Sequence, residues 1–126
     1  MKISAASQEL IEDLKGKGLA KPNHCYSNAA QTVLGVLKGK GKYVLCWMWD
    51  EKGVKHGHAV VEFNGHYFDT TLQANGGFAS KYEIFQSFTA AELGAMIKQA
   101  GGDVDGAFVP PALLADGKVA CVEVSI

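Results

Sequence analysis

Long apolar runs are missing from this 126-residue chain. None approaches the roughly 18 consecutive apolar residues of a membrane-spanning helix, so neither a span nor a membrane partner is expected. An apolar signal core is missing too. The N-terminus MKISAASQELIEDL carries one basic residue and meets acids by Glu9, which argues against a secretory leader. Neither charge sign is in excess: 12 Lys plus Arg stand against 13 Asp plus Glu. Lys38, Lys40 and Lys42 are the one local concentration. Glycines separate them and no aromatic platform interleaves, so they read as a solvated turn, and no nucleic-acid partner is expected. Cysteine is sparse and odd in number: Cys25, Cys46 and Cys121, with no CxxC pair. That excludes a complete disulfide scaffold and fits a reducing, cytoplasmic setting. Repeats, low-complexity runs and linkers are absent as well.

What remains suits one globular domain over residues 1–126. Apolar residues make up 48% and charged residues 20%, enough for one sizeable core. Residues 7–15 predict a helix, with Leu10, Ile11 and Leu14 on one face. A second helix is expected from His24 to Leu37. Its wide apolar stripe of Ala29, Ala30, Val33, Leu34 and Leu37 predicts burial. Residues 43–49 (YVLCWMW) read as a central strand, apolar on both faces. Residues 58–63 and 66–71 flank Asn64-Gly65, the strongest short-range hairpin signal. Residues 74–88 read as loop. A third helix is expected at Thr89, where Thr89 and Glu92 have capping-box spacing. Residues 103–117 read as turn-rich, and Lys118–Ser125 as a closing strand. The order predicts an α+β fold, with a mainly antiparallel sheet packed against helices.

Cys25 falls at the expected start of the buried helix. Unpaired N–H groups and the positive end of the helix dipole gather there, and both favour the anionic, nucleophilic form of sulfur. A small buried core cysteine is the plainer reading. The hairpin register adds weight. With the turn at Asn64-Gly65, Phe63 faces His66, Val60 faces Asp69 and His58 faces Thr71. Residues two apart share a strand face, so Asp69 becomes the diagonal neighbour of His58. A carboxylate there fixes one imidazole nitrogen and aims the other at a thiol. A half-exposed surface pair is the alternative.

HCYSNAA at 24–30, YVLCWMW at 43–49 and HAVVEFNGHYFDTT at 58–71 together resemble the papain-like and transglutaminase-like cysteine enzyme superfamily, closest to its small bacterial and phage-type members. The resemblance implies a core in which a buried N-terminal helix carries the nucleophile at its start. It implies Cys25 as nucleophile, His58 as general base and Asp69 as orienting carboxylate. Two departures stand out: Cys46 where the family often has a small residue, and Thr70-Thr71 where it often has Pro-Thr. The activity implied is a hydrolase or acyltransferase on an amide-type bond, as in a peptidase, amidase, deamidase or transglutaminase. The substrate would be a peptide, a protein or a small amide, with no cofactor. A phage-encoded chain would work in the host cytoplasm. The rival is a non-catalytic binding or inhibitory module that keeps the fold.

Acyl transfer also needs donors for an oxyanion. The Cys25 backbone N–H is one candidate and the Asn23 side chain another, although Asn also favours helix N-caps. Asn28, one turn after Cys25, either packs beside the site or satisfies backbone. His24, Cys25, His56 and His58 make a less favoured zinc set. His66 is expected on the solvent side. Trp47 and Trp49 share a strand face and read as core, with a substrate wall as the alternative. Cys46 and Cys121 read as inert core.

Overall fold

The Asn64-Gly65 turn carries positive φ at both residues, 52° and 78°, as a type I′ hairpin turn requires. It joins β2 (Lys55–Phe63) to β3 (His66–Phe68) in the expected register: Phe63 opposite His66, Glu62 opposite Tyr67, Val61 opposite Phe68. A computed structural model describes residues 2–77, 79–101 and 109–122. In it β1 (Lys42–Asp50) lies between β2 and β4 (Ala79–Thr89), antiparallel to both. The sheet order is β3-β2-β1-β4. Strand β1 is therefore covered on both faces, which explains its lack of alternation. Tyr43 and Leu45 face one core cluster, and Val44 and Cys46 face a second.

Among the described residues four α-helices pack around this curled sheet. Ser7 caps α1 (Gln8–Gly16) by accepting from the Leu10 N–H at 3.1 Å. Helix α2 (Cys25–Gln31) continues as a π-helical turn over Thr32–Val36. The Thr32 hydroxyl donates to the Asn28 carbonyl at 2.7 Å, and the Leu37 N–H reaches back five residues to the Thr32 carbonyl. Such side-chain competition for a helical carbonyl bends or widens the helix. The expected helix from His24 to Leu37 is thus present, with His24 as its cap and its last turn widened. Ala29, Ala30 and Val33 bury against Tyr43, Leu45, Ala59, Val61 and Phe88. Helix α3 (Thr70–Ala74) follows β3, and α4 (Ala90–Gln99) starts with the full Thr89–Glu92 capping box. Among the described residues no helix is long and apolar enough to cross a membrane.

Three expectations need correction. Strand β3 ends at Phe68, so Asp69, Thr70 and Thr71 are not strand residues: Asp69 caps α3 and the two threonines begin it. Residues 74–88 are not a loop, because β4 occupies most of them. Its alternation is broken at Phe85, where the pairing with β1 shifts by one residue: Leu45 opposes Gln86, but Cys46 opposes Ile84. A bulged edge strand with most side chains exposed shows no clean period-2 pattern. The turn-rich region contains β5 (Pro111–Leu113), paired with β6 (Val119–Cys121) in a separate two-stranded sheet. The expected closing strand is therefore shorter where it is described, and residues 123–125 of it lie outside the described residues.

Strand β5 packs against β2 at Gly57. A Cβ there would collide with the Leu113 carbonyl and lie 2.8 Å from the Tyr26 hydroxyl. The obstacle is backbone, which cannot swing aside as a flexible side chain would. Gly57→Ala should therefore destabilise the fold by about 2 kcal/mol, within the range for overpacking. Urea unfolding checks this; an unchanged midpoint would show that β5 is not held closely against β2.

Candidate active site

Cys25 is presented by a tight turn. Lys21, Pro22, Asn23 and His24 form it, with the His24 N–H donating to the Lys21 carbonyl at 3.3 Å. Proline at the second position and a residue with φ of 63° at the third, Asn23, match a type II turn. Asn28 fastens this turn: its Nδ2 donates to the Lys21 carbonyl and to Thr71 Oγ1, both at 2.9 Å. It thus satisfies a backbone carbonyl and also bonds a residue of the cleft, tying the entry of α2 to the start of α3. Cys25 is the first residue of α2 and half-buried.

His58 lies on β2 directly opposite Cys46 on β1. Strand β3 pairs only with Val61–Phe63 of β2, and α2 packs against β2. Asp69 reaches His58 from the cap of α3 instead of from a neighbouring strand. His58 Nε2 lies 2.8 Å from Asp69 Oδ2, and both side chains are almost fully buried. The other carboxylate oxygen accepts the Leu72 N–H at 3.1 Å. The expected partnership is present, although its geometry differs from the diagonal strand pair. Helix α3 is itself anchored by the N-terminal segment: Gln73 Oε1 accepts from the Ala6 N–H at 2.8 Å, and Gln73 Nε2 donates to the Ala6 carbonyl at 2.9 Å.

Burial disfavours the His58 cation. Hydrogen bonding by Asp69 and Cys25, together with their negative charge, outweighs that penalty and pushes the pKa up to about 10. With Nε2 committed to Asp69, Nδ1 is the nitrogen left for the sulfur. Cys25, His58, Asn23, Tyr26, Met48, Asp50, His56, Thr71 and Leu72 line one open cleft of about 420 Å³, within the usual size of a small-ligand site.

Tyr82 is the residue that sequence reasoning missed. Its hydroxyl donates to Asp69 Oδ2 at 2.6 Å, the same oxygen that His58 engages. Burial raises the phenol well above its usual range, helped by the neighbouring carboxylate, so Tyr82 stays neutral and a donor. No local pattern marks it. Tyr82 and Phe88 are six residues apart and would share a face on a regular strand. The bulge at Phe85 sends them to opposite faces: Phe88 to the helix-packed core, Tyr82 to the cluster of Val44, Cys46 and Val60.

The remaining candidates have other partners. Asn23 is not the helix cap, since His24 holds that position without a side-chain bond; Asn23 lines the cleft. His24 Nδ1 lies 2.8 Å from the Pro22 carbonyl, and His56 pairs with Asp50 at 2.8 Å. Cys25, His56 and His58 of the zinc set line the same cleft, but among the described residues no group of three His, Cys, Asp or Glu side chains is arranged to hold a metal. His66 is exposed. Cys46 is buried and its thiol is pushed far up by desolvation, whereas Cys121 is only half-buried. Trp47 packs against the main core, and Lys55 Nζ sits 4.3 Å over its ring. Trp47 lines a neighbouring pocket of about 250 Å³ that shares His56 and Gly57 with the cleft of Cys25. No family model matches the chain, and no curated protein or solved structure shows significant similarity to it.

Proposed function

We propose that the protein is a cysteine-dependent hydrolase or acyltransferase for amide-type bonds, with Cys25 as nucleophile, His58 as general base and acid, and Asp69 as orienting carboxylate. The core would be papain-like or transglutaminase-like. One observation carries the reading: a buried His58–Asp69 pair at 2.8 Å opens onto the cleft that Cys25 lines. A buried carboxylate fixes the ring and stabilises its cation, leaving the second nitrogen for the sulfur.

His58 Nδ1 takes the sulfur proton, or already holds it in a Cys25–His58 ion pair, as its raised pKa of about 10 favours. The thiolate attacks the carbonyl carbon, and the oxygen gains charge in a tetrahedral intermediate. The Cys25 backbone N–H and the Asn23 side chain are the donors proposed for that oxyanion. The C–N bond breaks as His58 returns the proton to the leaving amine, and a thioester remains. Water or a second amine, deprotonated by His58, attacks the thioester and releases Cys25. Hydrolysis or transfer follows from which nucleophile reaches the acyl-enzyme.

A thiol-reactive probe tests the reading. Cys25 should be labelled at least about tenfold faster than Cys121, and Cys46 should not react in the folded protein. Equal, slow labelling of Cys25 and Cys121 would refute the enzyme reading. Biological activity surviving intact in Cys25→Ser would favour a binding or inhibitory module.

A further inference from the structure

We propose that Tyr82 is a positioning residue for the Cys25–His58–Asp69 site: by sharing Asp69 Oδ2 with His58, its hydroxyl holds the carboxylate in place and limits how tightly Asp69 binds the imidazolium. The inference rests on the triad reading for its importance to chemistry, but its test does not require turnover.

Two features separate this role from packing. The apolar surroundings of Tyr82, Val44, Cys46 and Val60, would accept a phenylalanine ring equally well. The hydroxyl instead meets a carboxylate oxygen at 2.6 Å, a short charge-assisted bond. The second feature is the bulge at Phe85. Without the one-residue shift in β4, Tyr82 would oppose Trp49 instead of Met48 and point to the other face of the sheet. Bulges commonly re-aim a side chain in this way.

The electrostatic consequence follows from which groups surround His58. Cys25 approaches from α2, Asp69 from the cap of α3, Tyr82 from β4, and Cys46 from the facing position on β1. Asp50 and His56 stand across the cleft, paired with each other. Cys46 and Tyr82 are held neutral by burial, so among the described residues the Asp69 carboxylate is the anion hydrogen-bonded to His58. Donation by Tyr82 disperses the charge on Oδ2. Removing that donor leaves more negative charge facing His58 Nε2, and the imidazolium is held harder.

Nitrogen NMR of ¹⁵N-histidine-labelled protein reads this directly, with His58 assigned by its loss in His58→Gln. In Tyr82→Phe the His58 pKa should rise by about half a unit to one unit, less than the roughly 1–2 units that a hydrogen bond to a charged group is worth, because His58 feels only part of the charge released on Asp69. Cys25 alkylation should also change its pH profile, while alkylation of Cys121 stays constant. A fluorinated tyrosine at position 82 donates more strongly and should move the His58 pKa down. That second variant keeps the ring and hydroxyl, so it serves if Tyr82→Phe does not fold. An unchanged or oppositely shifted His58 titration would overturn the positioning role. A shift as expected alongside an unreactive Cys25 would leave the role standing and refute the enzyme reading instead.

Discussion

In His58→Ala the alkylation of Cys25 should slow by about 100-fold or more at neutral pH, the scale of losing a positioned general base. The half-buried sulfur would keep its access to solvent but lose the group that takes its proton. Labelling of Cys121, which shares no partner with His58 among the described residues, should not change. His58→Gln preserves more of the buried volume and should show the same loss, which separates proton transfer from a collapsed site. A Cys25 rate within threefold of the unsubstituted protein would contradict the assignment of His58 as base.

The same residue gives a pH dependence of stability. Its folded pKa, about 10, lies above the ordinary value of 6.5. A raised pKa means that the folded state binds the proton more tightly than the unfolded chain. The contribution is complete below about 6.5 and is lost as pH rises through about 10. The stability difference between the unsubstituted protein and His58→Gln should therefore shrink between pH 6.5 and pH 10. Urea midpoints at both ends measure it, and a difference that grows with pH would reverse the sign.

Local rules read parts of this molecule well. Asn64-Gly65 set the hairpin register because a type I′ turn allows few alternatives. Thr89 and Glu92 marked the start of α4, because a capping box satisfies two backbone donors that have no other local partner. The α+β class followed from the order of such signals. The site was legible in residue type more than in geometry. By residue type Asp69 reads as strand, because His66–Thr71 is rich in aromatic and β-branched residues. Asp favours helix caps as strongly as it disfavours strands, and that preference prevailed. Strand β4 is illegible in the sequence because an exposed edge strand shows no apolar period, and its bulge breaks what alternation remains. Tyr82 was hidden with it: its partner is 13 residues away, and its facing depends on an irregularity with no sequence signature. The approach of Cys25 to His58 likewise rests on long-range packing of α2 beside β2, which spacing along the chain does not encode.

Asp69 is where stability and reactivity separate most cleanly. Three donors converge on it: His58 Nε2 and the Tyr82 hydroxyl on Oδ2, and the Leu72 N–H on Oδ1. Asp69→Ala removes a helix cap and leaves the buried His58 ring and the half-buried Tyr82 hydroxyl without their acceptor. Breaking a buried pair from one side costs about 3–5 kcal/mol, so the urea midpoint should fall sharply. Asp69→Asn is gentler on the fold. Its amide oxygen still caps Leu72, and its volume is unchanged, so the loss should be roughly half as large. Its effect on Cys25 should not be gentler. With the oxygen occupied at the cap, the amide nitrogen faces His58 and Tyr82. Without the carboxylate the His58 cation is no longer held, and in the neutral ring an N–H facing Nε2 asks that nitrogen for its lone pair, which leaves the ring proton on Nδ1, the nitrogen left for the sulfur. His58 then meets Cys25 as a donor and no longer accepts its proton. Alkylation of Cys25 in folded Asp69→Asn should therefore drop about as far as in His58→Ala, despite the smaller stability loss. If Asp69→Asn keeps most of the Cys25 reactivity, Asp69 serves the fold alone, and the site reduces to a Cys25–His58 dyad.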